Sequence, residues 1–467
     1  MPSSPASASP HKRPPSASDP SSSSSSSSSD RRSSSPKPRL FLLLFLFIPA
    51  IIILLLASLL APITGVTTAL LPLSVTRLVH HHHPGHLSSS SSFLRQTRRL
   101  FSLHTTATMR RDKYEKELLV AQLAVQRAAI LTKRVFHEKA KGTVDKNDKS
   151  PVTIGDFGAQ ALIIAALQHN FPDDAIVAEE ESAKLREDEK LRSTVWELVK
   201  DTKLDNPDAE ALLGGPIRDA DAMVELIDKG NSPGGAQGRI WAIDPIDGTK
   251  GFLRGGQYAV CLALMVDGDV KVGALGCPNL PVDDAARLTA GIGENQTDDD
   301  GHGVLFSAVL GHGATSRPLA TVSLDPELGT PISMRAIDDL TQANFCESVE
   351  AGHSSHGDQA AISHKLGITA PSVRMDSQAK YGSIARGAGD IYLRLPVSAT
   401  YQEKIWDHAA GDLIVREAGG QVTDVHGKRL DFSVGRTLAN NKGVVAAPLA
   451  VHAKVLEAVQ EVLSAKL

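Results

Sequence analysis

The chain has 467 residues, with 49 Lys+Arg against 53 Asp+Glu, 42% apolar and 4% aromatic residues, and three cysteines. That length suffices for two packed domains or for one large core with an extension, and three widely spaced cysteines (Cys261, Cys277, Cys346) exclude a disulfide scaffold or a Cys-rich zinc module. Charge is uneven: residues 1–108 hold ten Lys/Arg and two Asp/Glu, leaving 39 and 51 for the rest, so the acidic body is no generic binder of nucleic-acid polymers.

Residues 1–39 are Ser, Pro and basic residues with nine serines at 21–29, too poor in apolar surface to offset chain ordering, and a disordered segment is expected. Residues 40–76 carry no charge, and 40–60 are almost continuous Leu, Ile and Phe. About 20 apolar residues cross a bilayer as a helix, so 40–60 is the expected membrane contact, with Arg31, Arg32, Lys37 and Arg39 favouring a cytoplasmic N-terminus. Residues 77–112 read as a basic linker or presequence, since 92–111 is rich in Arg, Ser and Thr and lacks acids, as in mitochondrial targeting segments. Met109 offers an alternative start, so the expected locations are membrane, mitochondrion or, from Met109, cytoplasm.

Two domains are expected in the body, an α+β domain at 113–325 and an α/β domain at 326–467. Residues 113–139 place Leu118, Leu119, Leu123, Ala124, Ala128, Leu131 and Val135 on one helical stripe. A second helix is predicted from about Ile154 to Gln168, then a strand over Ala175–Ala178 that delivers Glu179–Glu181, then helices over 191–200 and 216–229. The Gly-rich tract 231–238 reads as a loop before a strand at Arg239–Ile243. Tyr258–Val266 and Val270–Gly276 flank Asp267-Gly268, a hairpin signal that predicts antiparallel pairing. The acidic tract 292–303 lacks the ligand spacing of a calcium loop and reads as solvated. Beyond it come strands at 373–375, 390–395, 421–424 and 443–446, alternating with helices at 377–388, 407–418 and 450–463.

The chemistry concentrates at WAIDPIDGT, 241–249. Asp244 and Asp247 stand three apart after an apolar strand, and a tight turn there would gather both carboxylates and the Ile246 carbonyl as hard oxygen ligands suited to Mg²⁺. Gly248 would allow close backbone approach, with amides near Thr249 facing a phosphate. Taken alone, an ordinary Asp-Pro/Asp-Gly turn explains the same residues. Glu179 in AEEE is equally explained as solvated surface, Asp407 as a helix N-cap, and Asp156 as a first-turn acid favoured by the helix dipole.

Together they carry a stronger signal. Asp156 of VTIGD, Glu179 of AEEES, the whole of WAIDPIDGTKGF and WDHAAGDLIVREAGG at 406–420 resemble the inositol monophosphatase superfamily of lithium-sensitive, magnesium-dependent phosphatases, in the expected order over 113–467. The resemblance implies a layered αβαβα sandwich and two or three Mg²⁺ ions, one held by Glu179, Asp244 and the Ile246 carbonyl and another by Asp244, Asp247 and Asp407. It also implies that Asp156 and Thr249 orient and deprotonate an attacking water. KNDKSPVT at 146–153, ESVEAGHSSH at 347–356, DSQAKYGSIARG at 376–387, YLRLP at 392–396 and YQEKIWDHAAG at 401–411 are most similar to the bisphosphate nucleotidase branch of that superfamily. That likeness implies hydrolysis of the 3′-phosphate of adenosine 3′,5′-bisphosphate, with the sulfated analogue as a second substrate. His353, Ser377, Lys380 and Arg394 would then contact the nucleotide and its 5′-phosphate, beside Gly248, Thr249 and Asp407. A small-molecule nucleotide is the expected partner and a monomer the expected assembly. The rival expectations are an inositol phosphate phosphatase and a membrane-tethered nucleotide sensor without turnover. One departure is Ala178, where the superfamily usually has glycine before the two acids.

Overall fold

The computed structural model describes residues 113–140, 150–283, 287–289, 292, 301–398 and 400–465. The expectations for residues 1–112, and that for the acidic loop over 293–300, lie outside them. Among the described residues no helix is long and apolar enough to cross a membrane.

Helices α1 (Glu115–Ala140) and α2 (Ser150–Asn170) precede β1 (Ala175–Ala178), α3 (Ala183–Glu187), α4 (Glu189–Lys200), α5 (Pro207–Leu212) and α6 (Ala220–Asp228). Next come β2 (Arg239–Asp247), α7 (Thr249–Arg254), β3 (Ala259–Val266), β4 (Asp269–Pro281), β5 (His302–Val309), β6 (Ala314–Pro318) and β7 (Thr330–Ile332). These seven strands form one sheet in sequence order, parallel only at β1–β2. The β3–β4 turn is the expected one: Asp267 (φ 52°) and Gly268 (φ 79°) are both left-handed, as a two-residue hairpin of the primed type requires.

A second sheet follows, built from β8 (Phe345–Glu347), β9 (Val373–Arg374), β10 (Ile391–Arg394), β11 (Gly420–Thr423) and β12 (Val444–Pro448) in the order β11-β12-β10-β8-β9, with parallel and antiparallel pairs. Its helices are α8 (His356–Leu366), α9 (Ala379–Ala385), α10 (Ala409–Glu417) and α11 (Leu449–Ser464), and a single 3₁₀ turn at Ile405–Asp407 precedes α10.

Side-chain alternation explains the stacking. In β3, Val260, Leu262 and Leu264 pack with α1 and α2, while Ala259, Cys261, Ala263 and Met265 face the other way into a core shared with α9 and α10. Both faces are apolar because both are covered. The second sheet repeats the pattern, with Tyr392, Val444 and Ala446 toward α9 and α10 and Leu393, Val445 and Ala447 toward α8 and α11. The layers run helix pair, sheet, helix pair, sheet, helix pair.

Three local expectations are corrected. Helix α2 begins at Ser150 rather than Ile154, so Asp156 lies in its second turn and the first-turn dipole account fails. Strand β2 does not turn after Ile243 but continues to Asp247. Asp407 belongs to the 3₁₀ turn, and His408 occupies the cap position of α10 with no side-chain cap bond, so Asp407 is not an N-cap.

Candidate active site

The acidic pair on β2 is gathered by a bulge, not by a turn. Asp244 pairs with Cys261 of β3 and Asp247 with Ala259, so three steps on β2 oppose two on β3. Pro245, which has no N–H to give a ladder, sits inside the irregularity. The bulge brings Asp244 and Asp247 together with Asp407, one oxygen of each lying within 4.8 Å of the others. Gly248 then takes a left-handed φ of 88°, and a Cβ there would lie 2.8 Å from Ser377 Cβ, so the chain passes directly under the segment that carries the cationic side chains.

Glu179 arrives from the neighbouring strand. Ala178 pairs in register with Ile243, which places Glu179 beside Asp244, whose carboxyl its charge helps to push up. Arg436 pins this strand end by donating to the carbonyls of Ala178 (2.6 Å), Gly230 (3.2 Å) and Ser232 (3.1 Å). The alanine at 178 is accommodated because Gly230 lies opposite; a Cβ on Gly230 would come within 2.7 Å of Ala178 Cβ. Asp156 approaches from α2, where Gly155 lets the helix close on the bulge: a Cβ there would be 2.7 Å from Ile246 Cδ1. One turn on, Gln160 donates to the Glu180 carbonyl (2.8 Å) and accepts from its N–H (3.0 Å), locking α2 to the acidic segment.

Electrostatics follow from crowding. Burial first, and then the charges of their neighbours, push Asp156, Asp244 and Asp407 well above the usual carboxylate range; Asp247 is raised by burial against the pull of Lys380. Glu179 is pushed up to about 7 by burial and by Glu180. Asp156 Oδ1 and Asp244 Oδ1 are buried with no hydrogen-bond partner. Buried carboxylates this close repel one another unless protonated or paired with cations. An all-oxygen donor set with orphaned buried oxygens therefore fits a hard divalent cation.

The opposite wall is cationic. Ser377 holds a left-handed φ of 69°, Lys380 donates to the Met375 and Ser377 carbonyls (3.3 and 2.9 Å) with its ammonium 5.1 Å from the Tyr392 ring centre, and Arg394 donates to Glu403 at 3.0 Å. Burial, then the charges of Arg394, Lys250 and Lys380, lowers the His353 pKa and favours its neutral form. Burial works against the Lys380 charge and lowers its pKa too. Both walls enclose one cavity of about 930 Å³, lined by Glu179, Asp244, Ile246, Asp247, Gly248, Thr249, His353, Ser377, Lys380, Arg394 and Asp407. Asp156 alone of the expected set is absent from the lining; it lies behind, within the field of Glu179 and Glu180.

The residues missed were those that join these walls. Gln378 donates its backbone N–H to Asp247 and its amide to the Trp406 carbonyl (2.7 Å), and accepts from Gly411 N–H (2.9 Å). Glu403 and His408 bond to each other at 3.3 Å, and opposing charge and hydrogen bonds from His408 and Arg394 overcome burial to hold the Glu403 carboxyl at about 2. Arg254 ties α7 to Asp376 and Glu350.

A profile of the inositol monophosphatase family matches residues 114–464. The chain belongs to the inositol monophosphatase family. Within that family it is 66% identical over 350 residues to a 3′(2′),5′-bisphosphate nucleotidase of Emericella nidulans, a match covering 75% of this chain and 99% of the relative. It is 50% identical over 355 residues to a 3′(2′),5′-bisphosphate nucleotidase of Schizosaccharomyces pombe, covering 75% and 96%. Among solved structures, an inositol monophosphatase from Zymomonas mobilis is 18% identical with a TM-score of 0.45, covering 74% of this chain and 99% of that one.

Proposed function

We propose that this chain is a metal-dependent bisphosphate nucleotidase that removes the 3′-phosphate of adenosine 3′,5′-bisphosphate, giving AMP and phosphate, and that it also accepts the sulfated analogue, 3′-phosphoadenylyl sulfate. One observation carries the reading: a single cavity is acidic on one wall and cationic on the other. A monophosphate needs only the acidic wall with its ions; a second phosphate on the same substrate needs the Lys380 and Arg394 side. Relatives bearing the nucleotidase name support the choice of substrate.

Glu179, Asp244, Asp247, Asp407 and the Ile246 carbonyl would hold the Mg²⁺ ions, two or three in number. Bound there, Mg²⁺ neutralises the carboxylates, polarises the phosphate oxygens and lowers the pKa of water. Thr249, at the start of α7, and Asp156 behind Glu179 orient the attacking water, and Asp156 takes its proton. Burial raises the Asp156 pKa above the usual carboxylate range, which makes it a stronger base than a free carboxylate. Ser377, Lys380, His353 and Arg394 hold the nucleotide and its 5′-phosphate, so the 3′-phosphate is delivered over Gly248 and Thr249 in line with the water.

The test is phosphate release by the full chain with Mg²⁺, on adenosine 3′,5′-bisphosphate and inositol 1-phosphate side by side. A kcat/KM at least tenfold higher on the nucleotide is expected. The reverse preference would move the chain to the inositol phosphatases.

A further inference from the structure

The segment leaving β10 at Arg394 and returning at the 3₁₀ turn overhangs the cavity, and Leu395, Val397, Tyr401 and Gln402 from it line the wall. Its ends are fastened to the body, Leu395 N–H donating to Ser354 Oγ at 3.0 Å and Leu438 N–H to the Glu403 carbonyl at 2.8 Å. Between them Val397 and Tyr401 are 50% and 46% exposed, so packing alone does not hold these two residues.

A chain of side-chain hydrogen bonds supplies the missing constraint. One Glu403 oxygen accepts from Arg394 Nε at 3.0 Å, and the other meets His408 Nε2 at 3.3 Å. His408 Nδ1 meets the Tyr381 hydroxyl at 2.8 Å, and the Tyr401 hydroxyl shares a hydrogen bond with Arg394. The links are buried: the side chains of Arg394, Glu403 and His408 are 14%, 10% and 2% exposed. Glu403, Asp407 and His408 also lie close enough to hold a metal ion. Their partners argue otherwise. Both imidazole nitrogens are engaged and one carboxylate oxygen already carries a guanidinium, so a cation between Glu403 and His408 would replace their bond with a mixed donor set that a hard ion disfavours.

We infer that Glu403 is a positioning residue: by clasping Arg394 to His408 it fixes the Arg394 guanidinium on the cavity wall in the orientation that receives a substrate phosphate. The inference rests on the reading of Arg394 as a phosphate contact. A planar guanidinium gains its advantage over an ammonium only when its plane is set, and Glu403 sets it through Nε. The same clasp keeps the strap and its exposed Tyr401 over the cavity.

A double-mutant cycle tests it, using full-length wild type, Glu403→Ala, Arg394→Ala, the double variant and Glu403→Gln. With adenosine 3′,5′-bisphosphate, Glu403→Ala should raise KM about tenfold, the scale of one hydrogen bond to a charged group, with kcat within threefold of wild type. Glu403→Gln, which keeps the reach and an acceptor for Arg394, should return KM to within about threefold. In the Arg394→Ala background, removing Glu403 should change KM less than twofold. The cycle is repeated on calorimetric affinity for inorganic phosphate with Mg²⁺, where the same non-additivity is expected whichever phosphate ester is the substrate. Thus a wild type inert toward the bisphosphate would sink the function above while the phosphate cycle still decides this point. Additive effects in the cycle, a kcat loss with KM unchanged, or a shift in the Mg²⁺ concentration for half-maximal activity in Glu403→Ala would overturn the positioning role.

Discussion

Asp244 is the residue on which the acidic wall converges: it feels the charge of Glu179, lies within 4.8 Å of Asp247 and Asp407 oxygen to oxygen, and keeps one buried oxygen unpaired. Asp244→Asn preserves shape and removes one charge. In the metal-free protein that relieves repulsion, so the variant should melt no lower than wild type in chelator. With Mg²⁺ it should lose roughly 10²–10³-fold in kcat, the scale for deleting one group that stabilises developing charge, and it should lose the stabilisation that Mg²⁺ gives wild type. Turnover assays and thermal melts with and without Mg²⁺ check both halves. Native turnover would show that Asp244 is not a ligand.

What holds these residues in place are elements whose legibility in the sequence varied for physical reasons. The β3–β4 hairpin was plain because Asp-Gly encodes its own φ values, and α1 was plain because its apolar stripe is local. The β2 bulge was not legible, since it exists only relative to the register of β3, and a sequence that reads as a turn after Ile243 is equally a strand with an extra residue. Glu403 was hidden likewise: between Gln402 and Lys404 it is an ordinary polar residue until β10 brings Arg394 against it. By contrast Glu179, Asp244, Asp247 and Asp407 were legible because a residue pattern marks them wherever the chain folds. The bulge yields its own prediction at Gly248. Alanine there must hold φ 88° and place its Cβ 2.8 Å from Ser377 Cβ, itself at a left-handed φ of 69°. Left-handed backbone costs about 1–2 kcal/mol in a non-glycine residue, and relieving the contact moves Ser377 off the cavity wall. Gly248→Ala should therefore lower stability by about that amount in denaturant unfolding and lower kcat/KM by at least tenfold. Loss of stability with full activity would mean that Gly248 serves the fold alone.

On the scale of the whole molecule, the first sheet supplies the acids from β1 and β2, the turn before α10 supplies Asp407, and the second sheet supplies Arg394, so folding concentrates like charges contributed by residues from 156 to 407. That concentration makes stability depend on pH in a definite direction. A carboxyl whose folded pKa is raised stabilises the fold fully below its unfolded pKa and loses that contribution as pH rises through the folded value. Glu179 moves from 4.5 to about 7, and Asp156, Asp244, Asp247 and Asp407 shift in the same direction. In chelator stability, read as the melting temperature, should therefore fall as pH rises from about 5 through about 7, with Glu179 alone giving up to about 1.4 kcal/mol per pH unit and the four Asp carboxyls adding in the same direction. Glu403 works the other way: held at about 2, it contributes above its unfolded value of 4.5 and loses that contribution as pH falls toward 2. Cations that bind the ionised acids reverse the upper slope, because they bind the folded state and displace its protons. Mg²⁺ at pH 8 should then raise the melting temperature far more than at pH 5.5, where protons already occupy the site. Calorimetric scans at both values, with chelator and with Mg²⁺, read this directly. An Mg²⁺ effect equal at the two pH values would show that the ions bind away from these carboxylates.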